Sequence, residues 1–193
     1  MNINWSLWEV PKQKHSSANT SINKTRVPKL FKVIKDKFGW GYLQWNFDIG
    51  SGKYIDTIRD YLREQSTQLY YYDPFTIDWE DNRRNLITCA TKGGAHTVTV
   101  SNVLNVIKEK RNQTRVIQQA HVMLRPGPRI TSDGRMVPST AYFSVYSKQG
   151  CGVGEETKPD CWQSNKTIHE YLPEVKKIFG NVAIKYGIII ATK

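Results

Sequence analysis

Two short stretches carry the residue types and spacings that chemistry would need. The first is Asp48-Ile49-Gly50-Ser51-Gly52-Lys53-Tyr54, which follows the run Leu43-Gln44-Trp45-Asn46-Phe47. Strand, tight glycine turn and helix start is where α/β proteins hold a ligand, because glycine lets backbone approach it closely. A turn of this kind also serves as a plain connector. The dinucleotide fingerprint needs a third glycine where Ile55 stands. A P-loop needs glycine at Phe47 and Ser or Thr at Tyr54. Asp48, directly before the glycines, is a poor neighbour for a pyrophosphate and a good one for a cation. The second stretch is Asp73-Pro74-Phe75, with Asp73 lying 21 residues after Gly52. An acid at the tip of a second parallel strand lies beside the first turn and can accept both hydroxyls of a ribose, at an interval of ~20 residues. Phe75 would then lie against the base. Asp73 also fits the common pattern of a turn acid before proline.

These turns need elements behind them. Leu30, Phe31, Ile34 and Phe38 predict a helix over residues 27–38, with lysines between them and Gly39 and Gly41 at its end. Alternation predicts a first strand over 43–48, and Ile55, Ile58, Tyr61 and Leu62 share one face of a helix over 55–63. A second strand covers 68–72. Residues 76–94 leave little room for a full third strand plus helix, so a single helix over 80–91 is expected there. The β-branched run 96–100 is the next strand. A helix over 108–124 breaks at Arg125-Pro126-Gly127-Pro128. A loop or short hairpin over 129–139 precedes a strand over 140–146. The glycine-rich stretch 147–165 is long for a plain loop and follows a strand at the expected ligand edge. A helix over 167–179 and strands over 182–185 and 187–192 close the chain.

The 193 residues suffice for one domain with a real core. No stretch approaches the ~20 apolar residues that span a membrane. The first residues lack the basic start and apolar centre of a signal peptide. Cys89, Cys151 and Cys161 are an odd and sparse set, which suits a reducing cytoplasm. Cys151 and Cys161 with His169 do not have zinc spacing, so no metal is expected. His15, His96, His121 and His169 are scattered, and there is no Gly-x-Ser-x-Gly elbow. The net charge of +11 and pI near 9.6 favour polyanionic partners, nucleic acid first. Residues 1–40 hold eight lysines and arginines against Glu9 and Asp36. Residues 1–25 are predicted to be an irregular arm, ordered with ligand, whose start Trp5, Trp8 and Val10 pin to the body.

Asp-x-Gly-x-Gly after a strand resembles motif I of the class I S-adenosylmethionine-dependent methyltransferases. Their cofactor carries an ammonium and a sulfonium and no phosphate, which suits Asp48. "SNVLNVI" after a "YDPF" strand end is similar to uncharacterised, phage-encoded or DNA-modification-associated methyltransferases. The resemblance covers roughly residues 43–145. It implies an α/β, compact Rossmann-like methyltransferase fold: a mostly parallel central sheet, helices on both faces and an antiparallel C-terminal strand pair. It implies one domain over 1–193, with a basic arm and helix (1–40) capping the site. Asp48, Gly50 and Gly52 would surround the methionine part of S-adenosylmethionine. Asp73, Pro74 and Phe75 would hold its ribose and base. Ser101, Asn102 and Val103 would line the other wall.

The position after the fourth family strand also excludes. Ser101-Asn102-Val103-Leu104 lacks the prolines that amino-methyltransferases acting on DNA bases carry there, and none of the cysteines follows a proline as in cytosine carbon-5 enzymes. Pro128 replaces the second glycine of the family's turn before strand five. Methyl transfer from a sulfonium needs alignment more than a base, so the sequence names no catalytic residue. Tyr146, Gln163 and Asn165 are candidates for positioning the acceptor. The expected activity is methyl transfer to a nucleic acid or nucleotide. The alternative is a non-catalytic methyltransferase-fold protein that binds nucleic acid or assists a partner. A small-molecule or protein methyltransferase with incidental charge is a third reading.

Overall fold

The computed structural model describes residues 2–16, 25–131, 133–147 and 152–193. Its centre is a six-stranded sheet. The first strand, β1 (Gln44–Ile49), is flanked by β2 (Thr67–Tyr72) on one side and β3 (Thr97–Ser101) on the other, both parallel to it. β6 (Thr140–Ser144) is parallel to β3. β10 (Ile188–Thr192) runs antiparallel to β6, and β9 (Asn181–Lys185) antiparallel to β10. Short hairpins lie outside this sheet: β4 (Pro128–Ile130) with β5 (Met136–Pro138), and β7 (Glu155–Lys158) with β8 (Cys161–Gln163). The fold is therefore the Rossmann-like α/β arrangement expected from the sequence, mostly parallel with an antiparallel C-terminal pair. The six strands of the central sheet begin and end within two residues of the predicted positions.

Two apolar layers cover the sheet. On one face, α1 (Lys29–Lys37) and α2 (Ile55–Glu64) bury Leu30, Phe31, Ile34, Ile58 and Leu62 against Tyr142 and Ile188. On the other, α3 (Trp79–Thr91), α4 (Lys110–Met123) and α5 (Ile168–Phe179) bury Leu86, Ile117 and Val175 against Phe47, Val98 and Phe143. Single-residue alternation along β1 sends Phe47 and Ile49 into the second layer and leaves Asn46 and Asp48 facing the first. Among the described residues, no helix is long and apolar enough to cross a membrane.

The short 76–94 segment holds a single helix and no third strand, as its length predicts. β2 is thus one of the sheet's two outer strands, and α3 meets its free side with amides. Asn82 accepts from the Asp73 N–H at 2.9 Å and donates to the Asp73 carbonyl at 2.8 Å. Asn85 accepts from the Tyr71 N–H at 3.4 Å. The chain leaves β1 for β2 over the α2 face and returns from β2 to β3 over the opposite face through α3. That reversal opens a crevice beyond the C-terminal strand ends, where open α/β sheets bind ligands.

Candidate functional site

A cavity of about 470 Å³ occupies this crevice. Asp48, Gly50, Gly52, Asp73, Pro74, Phe75, Ser101, Asn102 and Val103 all line it, as do Tyr146 and Gln163. The third acceptor candidate, Asn165, does not. Its amide donates to the Val153 carbonyl at 3.1 Å and to Glu155 at 3.4 Å, so it ties the 152–165 loop together instead. Both ends of Gln163 are engaged: Nε2 donates to the Tyr146 carbonyl at 2.8 Å and Oε1 accepts from Asn105 at 3.2 Å. It fixes the wall more than it offers a free group. Tyr146 lines the cavity and is 59 % exposed.

Asp48 is 1 % exposed and accepts from Thr99 Oγ1 at 2.5 Å and Ser51 Oγ at 2.7 Å. Burial pushes its carboxyl from 3.8 up to about 7, against the pull of these two hydroxyls, and the Asp73 charge adds to the rise. The Thr99 hydroxyl is itself supplied. Thr97 Oγ1 donates to Asn46 Oδ1 at 2.9 Å, Asn46 Nδ2 donates to Thr99 Oγ1 at 2.8 Å, and Thr99 donates onward to Asp48. Three buried polar side chains thus point their donors along β1 and β3 toward one carboxylate, and such bonds polarise one another. Sequence reasoning missed this relay. Its signal was polar residues at alternate positions, Asn46 and Asp48, Thr97 and Thr99, in strands otherwise read as buried.

Asp73 has a second occupation that its position in the sequence did not reveal. Its carboxylate accepts from the backbone N–H groups of Gly52 at 2.9 Å, Phe75 at 2.9 Å and Thr76 at 3.0 Å. A carboxylate has about four acceptor positions, so roughly one is left. Accepting both hydroxyls of a ribose would require releasing one of these bonds. The two glycines differ as well. A Cβ on Gly50, whose φ is +78°, would lie 2.4 Å from Val103 Cγ2, so Gly50 lets the first turn pack on the third strand's turn. At Gly52, with φ +53°, the nearest atom to a Cβ is Asp73 Oδ2 at 3.6 Å.

A further wall comes from residues 2–16. Trp8 is fully buried, with its ring edge-on to Tyr72 at 4.9 Å and Phe47 at 5.9 Å, and its carbonyl accepts from the Tyr72 hydroxyl at 2.7 Å. The Leu7 carbonyl accepts from Arg115 at 3.1 Å and Gln119 at 2.8 Å, and the Lys12 carbonyl from Asn112 at 3.0 Å. Pro11, Gln13 and Ser16 then reach the cavity. The Lys14 amide donates to Glu109 at 2.9 Å, the Ser16 amide to Asp160 at 2.8 Å, and the His15 ring stacks on Trp162 at 5.7 Å. So the 147–165 stretch is in part the β7–β8 hairpin, and the hairpin and α4 hold the arm. Trp8 is the anchor the sequence predicted. Trp5 meets the exposed Trp79 ring, and Val10 is 59 % exposed and pins nothing. Most of the Ser/Thr/Asn-rich run, residues 17–24, lies outside the described residues, as do Gly150 and Cys151.

No protein-family model and no curated protein matches this chain. Among solved structures, it is similar to a chain of the complex between the Haloferax volcanii Trm112 methyltransferase activator and a candidate methyltransferase. The two share 13 % identity over 80 % of this chain and 69 % of that one, with a TM-score of 0.49. The function of this chain has to be read from the geometry of its site.

Proposed function

We propose that this chain is an S-adenosylmethionine-dependent methyltransferase whose acceptor is a nucleic acid or nucleotide. One observation carries the reading. Two consecutive residues of the β1 turn hold two carboxylates over one cavity: Ser51 donates to Asp48 and Gly52 to Asp73. A buried carboxyl near pH 7 is poised for a cation, since a positive charge beside it restores the ionised form. The open backbone at Gly52 and the remaining acceptor position of Asp73 suit a ribose, and Phe75 suits a base. At about 470 Å³ the cavity falls within the roughly 300–1,000 Å³ of small-molecule sites.

Bound there, the cofactor supplies a methyl group on a sulfonium leaving group. The chain's own residues align and exclude water. Asp48 holds the cationic end, Ser101, Asn102 and Val103 close the opposite wall, and the arm with α1 caps the site. Tyr146, in the cavity lining, orients the acceptor. Lys53 at the cavity and the net charge of +11 favour a phosphate-bearing acceptor. Phage origin and a DNA-modification role are carried only by the sequence resemblance.

Isothermal titration with S-adenosylmethionine tests the reading. The wild type is expected to bind, and Asp48→Asn, shown to be folded by its thermal unfolding, to bind roughly 10- to 150-fold more weakly, the equivalent of losing about 1.5–3 kcal/mol for a charged hydrogen-bonding partner. A wild type that takes up no cofactor sinks the proposal. Uptake without transfer of a labelled methyl to any oligonucleotide or nucleotide would favour the non-catalytic accessory protein.

A further inference from the structure

A second groove, of about 320 Å³, lies at the other end of the sheet. Thr140, Thr192 and Asn181 pair across β6, β10 and β9 at the start of β6, and all three line it. Its charged residues are Lys37, Arg129, Arg135 and Lys185, and no Asp or Glu side chain lines it among the described residues. These cations come from four elements or their edges, α1, β4, β5 and β9, so they are not the solvated face of one helix. Arg129 is 2 % exposed. Its guanidinium donates to the Gly39 carbonyl at 3.2 Å and the Tyr142 hydroxyl at 3.1 Å, and its Nε has no partner. Arginine keeps its charge when buried, and a buried charge is normally paired. Arg135 donates to the exposed Asp133 at 2.6 Å. At the groove's edge Tyr186 is 58 % exposed at the β9–β10 turn, with Phe38 edge-on at 5.7 Å and Lys37 over its ring at 5.3 Å.

The geometry points to a binding groove for single-stranded nucleic acid, with a backbone phosphate beside Arg129, Lys37 and Lys185 and a base on Tyr186. A charged groove beside a solvent-exposed aromatic ring is how proteins hold single strands without reading sequence. The site names the class of acceptor in the function proposed above, yet it does not rest on the cofactor. Its test is run without one, so the two can fail separately.

The test is fluorescence polarisation of a labelled oligothymidylate across a salt series. Lys37→Glu/Lys185→Glu is compared with Lys176→Glu/Lys177→Glu, an equal charge change on exposed residues of α5. The groove variant is expected to lose at least tenfold in affinity. Its log–log salt dependence should flatten by roughly 1.4, at ~0.7 for each phosphate of a single strand that is no longer neutralised. The α5 variant should stay within about twofold, and Tyr186→Ser should weaken binding severalfold with the salt slope unchanged. Equal losses in the two charge-reversed proteins would overturn the site, leaving only net charge. So would a wild type that binds no oligonucleotide, or one stabilised by inorganic phosphate alone.

Discussion

Two walls of the main cavity are held by different means. The strand-tip wall is built from bonds between adjacent strand ends and their turns, most of them buried. Asp48 bonds to a hydroxyl three residues on and to the neighbouring strand, and Asp73 to backbone two and three residues on. The arm wall is built from partners far off in sequence: Lys14 with Glu109, Ser16 with Asp160, and the Leu7 carbonyl with Arg115 and Gln119. The first is largely buried, with Asp48 1 % and Asp73 7 % exposed. The second is mostly polar and partly exposed, so water can replace its bonds at small cost. Trp8 is the exception, an apolar anchor from the arm sunk into the core.

The sharpest way to break this contrast is Trp8→Ala. Emptying so large a buried site should cost about 3–5 kcal/mol in a denaturant melt. A loss near zero would mean that the arm rests on the surface. Next comes the pH dependence of Asp48. Its folded-state carboxyl, at about 7, holds a proton that the unfolded chain gives up near 3.8. That proton's contribution is fully present below pH 3.8 and is lost as pH rises toward 7. Wild-type stability should therefore fall relative to Asp48→Asn by about 1.4 kcal/mol per pH unit between about pH 5 and 6.5. Binding of a cationic ligand should move oppositely, strengthening up to about tenfold per unit over that window. Parallel stability curves for the two proteins would show that the carboxyl is not buried in solution.

Gly50→Ala should cost about 1–3 kcal/mol, from both contact with Val103 and the positive φ. Adding Val103→Ala should return the contact part only, and a double-mutant cycle reads the difference. The smallest expected effect on stability is that of Asp160→Ala. The melting temperature should hardly change, while tryptic cleavage after Lys12 and Lys14 speeds up severalfold. If cleavage is unchanged, the polar ties to the hairpin do not hold the arm.

The same division sets what was legible in the sequence. Strands and helices showed because their apolar residues repeat with a period, and the Asp48 turn showed because glycines mark it. Asp73 was found by its interval, but its grip on the Gly52, Phe75 and Thr76 amides follows from a tight fold of the chain that spacing does not record. The Thr97–Asn46–Thr99 relay was hidden because threonine in a strand reads as an ordinary β-former. The β7–β8 hairpin was hidden because four-residue and three-residue strands of mixed charge carry no period. Asn165 was misplaced for that reason: with no strand foreseen at 161–163, nothing showed that the turn after it points this amide back into the loop. The arm was underestimated because most of its polar ties are made by backbone carbonyls and amides, which side-chain patterns do not record.

The amides that α3 offers to β2 have a consequence for the molecule's company. A sheet whose outermost strand bares its peptide groups is a template on which another chain can lay a strand. Asn82 and Asn85 occupy such groups at the tip of β2. Two asparagines on one helix thereby take up peptide groups at this tip that a neighbouring molecule's strand could otherwise pair with.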